Sequence, residues 1–210
     1  MLAYLFLGRV FASFMTGNIL FVGLGLSQHN YGLLESAAAA ILANFGGVTI
    51  GSAIIHRPPV SRTLASLRSL FASALIVEWC FLLLFTILIV LFSHDLSGNY
   101  EMQLTILVVA ALAMGIQGAI VYSFDLPAVV ANALTAVVII LGQTAGADID
   151  HAGAKEDWKW TNQFRVGMIL AYALGAIVVG TTSSSAVTKF IPLAISTISI
   201  LFTLAAMKQQ

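Results

Sequence analysis

The sequence predicts an all-α, polytopic helical membrane protein forming one integral domain over residues 1–210. Three observations carry that expectation. Hydrophobic residues make up 60% of the chain and charged residues 9%, with a mean hydropathy of +0.99, whereas soluble domains carry about 25% charged residues. Seven apolar stretches, at 10–26, 33–55, 70–93, 102–122, 127–145, 164–181 and 187–206, approach the ~20 residues that a helix needs to cross a bilayer, so six to seven segments are expected. The nine basic and nine acidic residues sit mostly in the short connections between these stretches.

The first stretch is short and carries a polar, glycine-containing break, Phe14, Met15, Thr16, Gly17 and Asn18, followed directly by Ile19, Leu20, Phe21 and Val22. Polar groups without partners cost several kcal/mol each in lipid, so such a break persists only where protein or a water-filled cavity satisfies it. The second stretch holds Asn44 and the glycines Gly46, Gly47 and Gly51; the third holds Glu78 and the lone cysteine, Cys80; the fourth holds Gln117. The fifth resembles the first in being short and interrupted, here by Asn132 and Thr135, and it follows Asp125, Leu126 and Pro127, where proline suits a helix start. The last two are apolar, with Gly175 and Gly180 in the sixth.

The connections give the orientation. His56, Arg57, Arg62 and Arg68 form the clearest basic stretch, which the positive-inside rule places in the cytoplasm, and the Ser93 to Glu101 connection, with no Lys or Arg, then lies outside. If the fifth stretch spans, Lys155, Lys159 and Arg165 fall outside; if it re-enters, they stay inside, in agreement with the rule. The re-entrant or discontinuous form is therefore preferred. Low-identity similarity between the halves 1–95 and 100–207, each reading as broken segment, glycine-spaced helix and long apolar helix, suggests an inverted repeat with two broken segments, a common transporter plan.

The run from Leu7 through Gly8, Arg9, Val10, Phe11, Ala12, Ser13, the Met15, Thr16, Gly17, Asn18 element and on to Gly25 resembles the signature of the YoaK-like family of membrane proteins, a domain-of-unknown-function family. Ala113, Met114, Gly115, Ile116 and Gln117, with the Pro127 segment, resemble its second half. The resemblance covers essentially the whole chain and implies a small bacterial multi-pass protein of the inner or plasma membrane. Two departures stand out: family members typically carry a further apolar helix before the position of Leu7, where only Met1 to Phe6 stand here, and the family's second Thr-Gly pair is replaced by Ala131 and Asn132. A truncated or late start is one expectation from the first; a cleavable leader is not expected, because Arg9 falls inside the apolar start.

Candidate pathway residues are Thr16, Gly17, Asn18, Asn132, Thr135, Gln117, Asn44 and Glu78. Hydroxyl, backbone carbonyl and amide groups at the breaks can replace part of a solute's hydration shell. The alternative for each is helix packing, where Asn and Thr bond across a close contact for about 0.6 to 2 kcal/mol. Glu78 is read either as a proton-coupling acid or, from its place about two turns after Arg68, as an interfacial acid that water reaches. Arg9 is expected to snorkel to the headgroups. The glycines are read as close helix contacts, since none follows a strand or faces a basic residue.

Other classes find little support. There is no basic face for nucleic acid, one cysteine excludes an intrachain disulfide, His151 with scattered acids makes no metal site, and no Ser-His-Asp set assembles, so no enzyme, cofactor or metal is implied. Two readings remain: a small-solute transporter or channel-like permease, and a non-transporting membrane scaffold or accessory subunit. The expected partners are the lipid bilayer, a small uncharged solute rather than a bare ion, and a second copy of the chain. With the fifth stretch re-entrant, cysteines placed beside Lys155 and Lys159 should resist an impermeant thiol reagent on intact cells and react after permeabilisation. Strong labelling from outside would mean that the stretch spans and the inverted repeat is wrong.

Overall fold

A computed structural model describes residue 7, residues 9–56, 64–92 (side chains from Ser69) and 98–123, and individual positions between 166 and 198. Four helices are continuous among the described residues: α1 Met15–Ser27, α2 Tyr31–Ile55, α3 Leu64–Leu91 and α4 Tyr100–Tyr122. α2, the Ser69–Leu91 part of α3, and α4 are long and apolar enough to cross a membrane. At 1.5 Å per residue they measure roughly 35 to 38 Å, whereas the 13 residues of α1 reach only about 20 Å.

The second, third and fourth apolar stretches thus appear as helices, each starting a little earlier than hydropathy alone suggests. For α2 and α4 the start is set by a cap and not by the first apolar residue. Asn30 Oδ1 accepts from the Leu33 N–H at 3.1 Å and Asn99 Oδ1 from the Met102 N–H at 3.1 Å, so Tyr31 and Tyr100 become first helical residues. The first stretch differs from the expected 10–26: the backbone is non-helical through Phe14, and only then does α1 begin. The fifth stretch, with Asn132 and Thr135, lies outside the described residues, and the sixth and seventh are described only at scattered positions.

α1 ends in a Schellman motif. The Asn30 N–H bonds the Gly25 carbonyl at 2.8 Å and the His29 N–H that of Leu26 at 3.4 Å, with His29 in the left-handed region at φ 53°. The chain reverses there, and α2 returns antiparallel to α1, with Gly25 seated against the backbone of Leu34. α2 and α4 run parallel: Tyr100 reaches Gly32 at one end, and Gly51 lies against Ala119 towards the other. α3 runs against both. Its Ala74 clusters with Ile55, Ile116 and Ile120, while Phe85 and Ile89 join Ala37, Ala40, Ile106 and Leu107.

The α2–α4 crossing is the tightest contact. A Cβ on Gly47 would strike the Leu112 carbonyl oxygen, and one on Gly115 would strike the Asn44 carbonyl oxygen and lie 2.8 Å from the Val48 nitrogen. A Cβ on Gly51 would fall 2.8 Å from that of Ala119. Backbone therefore meets backbone at Gly47 and Gly115, as small residues permit between helices in lipid, where dispersion and not hydrophobic expulsion drives association. Gly46 is different, because a Cβ there would sit 3.6 Å from Leu112 Cδ2, an ordinary contact. Large apolar side chains such as Leu20, Leu42 and Phe45 point outward and exposed, as lipid-facing positions do.

Gly115→Ala should consequently lower stability by about 1 to 3 kcal/mol through overpacking against immovable backbone, and Gly46→Ala should change it by under about 0.5 kcal/mol. Denaturant unfolding of the purified protein in mixed micelles reads the difference. Equal loss in both variants would refute the crossing as the sensitive contact.

Candidate functional site

The break in the first apolar stretch is a folded element. Residues 10–14 are non-helical, with a bend at Ala12 and Ser13, Arg9 stands at φ 62° with its side chain exposed, and Leu7 and Val10 are buried in the core with Ala37 and Ala40. Asn18, on the first turn of α1, is 0% exposed. Its Oδ1 accepts from the Phe11 N–H at 3.0 Å, and its Nδ2 donates to the Phe11 carbonyl at 2.6 Å. One side-chain amide thus replaces both helical hydrogen bonds that Phe11 forgoes.

Aromatic rings close over this pairing. Phe11 stacks on Phe21 with centroids 5.9 Å apart and meets Phe14 edge-on at 5.4 Å. Phe14 also covers Gly17: a Cβ there would lie 2.5 Å from Phe14 Cδ1, so only glycine lets the ring settle. Phe14 contributes no side-chain cap, and the first backbone bond of α1 runs from the Asn18 N–H to the Phe14 carbonyl at 3.2 Å. The N–H groups of Met15, Thr16 and Gly17 therefore meet no backbone acceptor among the described residues. Thr16 is exposed beside them.

The Ser27 end of α1 is tied to the Tyr31 end of α2, so the start of α1 lies about 20 Å along α2 from that end, towards the middle of a helix long and apolar enough to cross a membrane. Since Gly25 faces Leu34, Asn18 falls near the level of Ala40 and Ile41. Asn44, one turn further along α2, is 8% exposed and donates from Nδ2 to the Ala111 carbonyl at 3.4 Å, in the glycine crossing.

Glu78 occupies the middle of α3 and is 5% exposed. The expectation of a water-reached interfacial acid is not met, because α3 continues well before residue 70 and Glu78 packs inward. Gln117, by contrast, is exposed on α4. Four of the candidates, Gly17, Asn18, Asn44 and Glu78, are thus buried, at three separate interfaces: Gly17 and Asn18 at the α1 break, Asn44 at the α2–α4 crossing, and Glu78 on the face of α3 towards α4. Asn132 and Thr135 lie outside the described residues.

Two features escaped the sequence reading. Phe11, the partner of Asn18, acts through its backbone, which no residue type advertises. A polar cluster at the shared end of α2 and α4 was also missed: the Tyr100 hydroxyl lies 3.1 Å from both Glu35 Oε2 and the Gly32 carbonyl and 3.3 Å from Ser36 Oγ. The repeated Asn-Tyr pairs, Asn30 with Tyr31 and Asn99 with Tyr100, were the available signal for two capped helices starting side by side.

A family model described as Protein of unknown function (DUF1275) matches residues 1–206, and the chain belongs to that family, which is the YoaK family that its Met15 to Asn18 signature resembles. Comparison with curated proteins and with solved structures gave no match.

Asn18→Ala should leave the Phe11 N–H and carbonyl unpaired and lower stability by about 2 to 6 kcal/mol, from ~1 to 3 for each group. Trypsin cleavage after Arg9 in micelles should accelerate in parallel with the loss seen in denaturant unfolding. Unchanged cleavage and stability would show that Phe11 does not depend on this amide.

Proposed function

We propose that this protein is a small-solute transporter or channel-like permease whose pathway passes the start of α1. One observation carries the reading: a half-length helix begins at membrane depth with three backbone N–H groups unclaimed by backbone among the described residues, beside the exposed hydroxyl of Thr16. Such groups are not left facing hydrocarbon, so water or a solute reaches them. Discontinuous helices with half-helix ends at the substrate are the usual construction of transporter sites. The lining supplied by the Thr16 hydroxyl and the first-turn backbone of α1 is neutral, which suits a small uncharged solute with hydrogen-bond acceptors, while Gly17 and Asn18 lie buried behind it and hold the break in shape. In this reading Asn132 and Thr135 form the opposing break of an inverted repeat, the loops set a multi-pass topology in a bacterial inner or plasma membrane, and the protein moves its solute without converting it.

The rival, a membrane scaffold or accessory subunit that carries nothing, draws on a different observation: Asn18 and Asn44 both have bonds met within the protein, and the glycine crossing is pure packing.

The two readings separate at Thr16. In a version with Cys80 replaced by Ser, Thr16→Cys should react with a small cationic methanethiosulfonate reagent in intact membranes, because a thiol facing an aqueous pathway ionises and a thiol facing lipid does not. Gly17→Cys and Asn18→Cys are poor probes, since the first displaces Phe14 and the second unpairs Phe11. Protection of Thr16→Cys under conditions where a loop cysteine at Gln28 labels fully would refute the pathway.

A further inference from the structure

Among the described residues Glu78 is the one buried acid, and its carboxyl makes no hydrogen bond or ion pair with any of them. Ala74, Glu78, Leu82, Phe85 and Ile89 fall within an arc of roughly 80° at 100° per residue, and all five are buried. Ala74 packs with Ile116 and Ile120 and Phe85 with Ile106 and Leu107, so the carboxyl, lying between them on the same stripe, is directed at the middle of α4. That part of α4 offers Ala110, Ala113 and Ile116, all buried and apolar.

No ionic partner among the described residues faces it there. α4 has no ionisable side chain between Glu101 and Tyr122, and α2 has none between Glu35 and His56. On α3 itself, Cys80 projects to the exposed side. The C-terminal region also packs against α3, since Trp79 Nε1 donates to Thr197 Oγ1 at 2.9 Å, and the basic residues that follow α4 are Lys155, Lys159, Arg165, Lys189 and Lys208, all outside the described residues.

An isolated ionised carboxylate in such surroundings is strongly disfavoured, so the group must hold a cation. A metal cation needs several oxygen ligands, and the facing alanines and isoleucine supply none. A proton needs only one carboxyl oxygen.

We propose that Glu78 is a proton-binding site that couples solute movement to proton movement. In the closed arrangement the carboxyl keeps its proton; when water enters between α3 and α4, its O–H bond breaks, the proton passes to water as hydronium, and the carboxylate remains until it is reprotonated from the other side. This rests on the transport reading for its role, but the protonation itself does not.

Infrared difference spectroscopy across an alkaline titration tests it, with the full chain in phosphatidylcholine vesicles. The wild type should lose the carbonyl stretch of one protonated carboxylic acid in apolar surroundings, and Glu78→Gln, whose helical content is checked by circular dichroism, should lack that band. Superimposable spectra of wild type and Glu78→Gln would overturn the proposal. Should Glu78→Gln not fold, Glu78→Asp replaces it: a band moved in frequency supports the assignment, and an unmoved band overturns it. Labelling at Thr16→Cys with no Glu78 band refutes proton coupling and leaves transport standing; a titrating Glu78 with Thr16→Cys protected refutes transport and with it the coupling, and leaves only the proton-binding site.

Discussion

Inside a bilayer the backbone has no water to fall back on, and the arrangement around residues 7–27 answers that constraint. A chain that stops being helical at membrane depth must find a partner for each N–H and C=O it releases. Asn18 does this for Phe11 with a single amide, donor and acceptor both used. The coil then packs with Leu7 and Val10 in the core, the phenylalanines cover the pairing, and α1 begins short because the membrane depth before it is occupied by something other than helix. What the amide does not satisfy is the first turn of α1 itself, whose N–H groups at Met15, Thr16 and Gly17 meet no backbone acceptor among the described residues.

The other helices hold this element by closeness. Glycines at Gly47 and Gly115 bring α2 and α4 to backbone contact, which makes α4 the central helix, with α2 on one side and the Ala74 to Ile89 stripe of α3 on another. α1 leans on α2, with Gly25 against Leu34. Packing without large side chains leaves few adjustable parts, so a methyl group at the crossing must be absorbed by backbone movement. The level of Asn44, and through α2 the level of Asn18, is set by that contact.

Much of this was legible in the sequence. Hydropathy and length located α2, α3 and α4, and glycines without a strand or a basic neighbour read correctly as contacts at Gly47 and Gly51. Polar residues in an apolar run marked the break at Thr16, Gly17 and Asn18. Illegible were the relations that depend on three-dimensional register. Hydropathy cannot show that the chain before Met15 is non-helical, because Val10, Phe11 and Phe14 are apolar in either state. The starts of α2 and α4 were blurred because apolarity begins after the caps at Asn30 and Asn99, and Glu78 was placed near the interface by counting from Arg68, a count that says nothing about which side of α3 faces inward. Asn132 and Thr135, which would complete a pair of breaks, fall outside the described residues.

Burial alone does not sort these polar residues; satisfaction does. Asn18 and Asn44 are as buried as Glu78, yet their amides are engaged with backbone carbonyls or N–H groups, and an engaged amide is a structural part whose removal is felt as lost stability. Glu78 has the opposite signature: it makes no bond to the described residues, sits among alanine and isoleucine, and in its ionised form would weaken the fold that buries it. A leucine or glutamine at that position would serve packing better. A carboxyl there makes physical sense when its two charge states are both used.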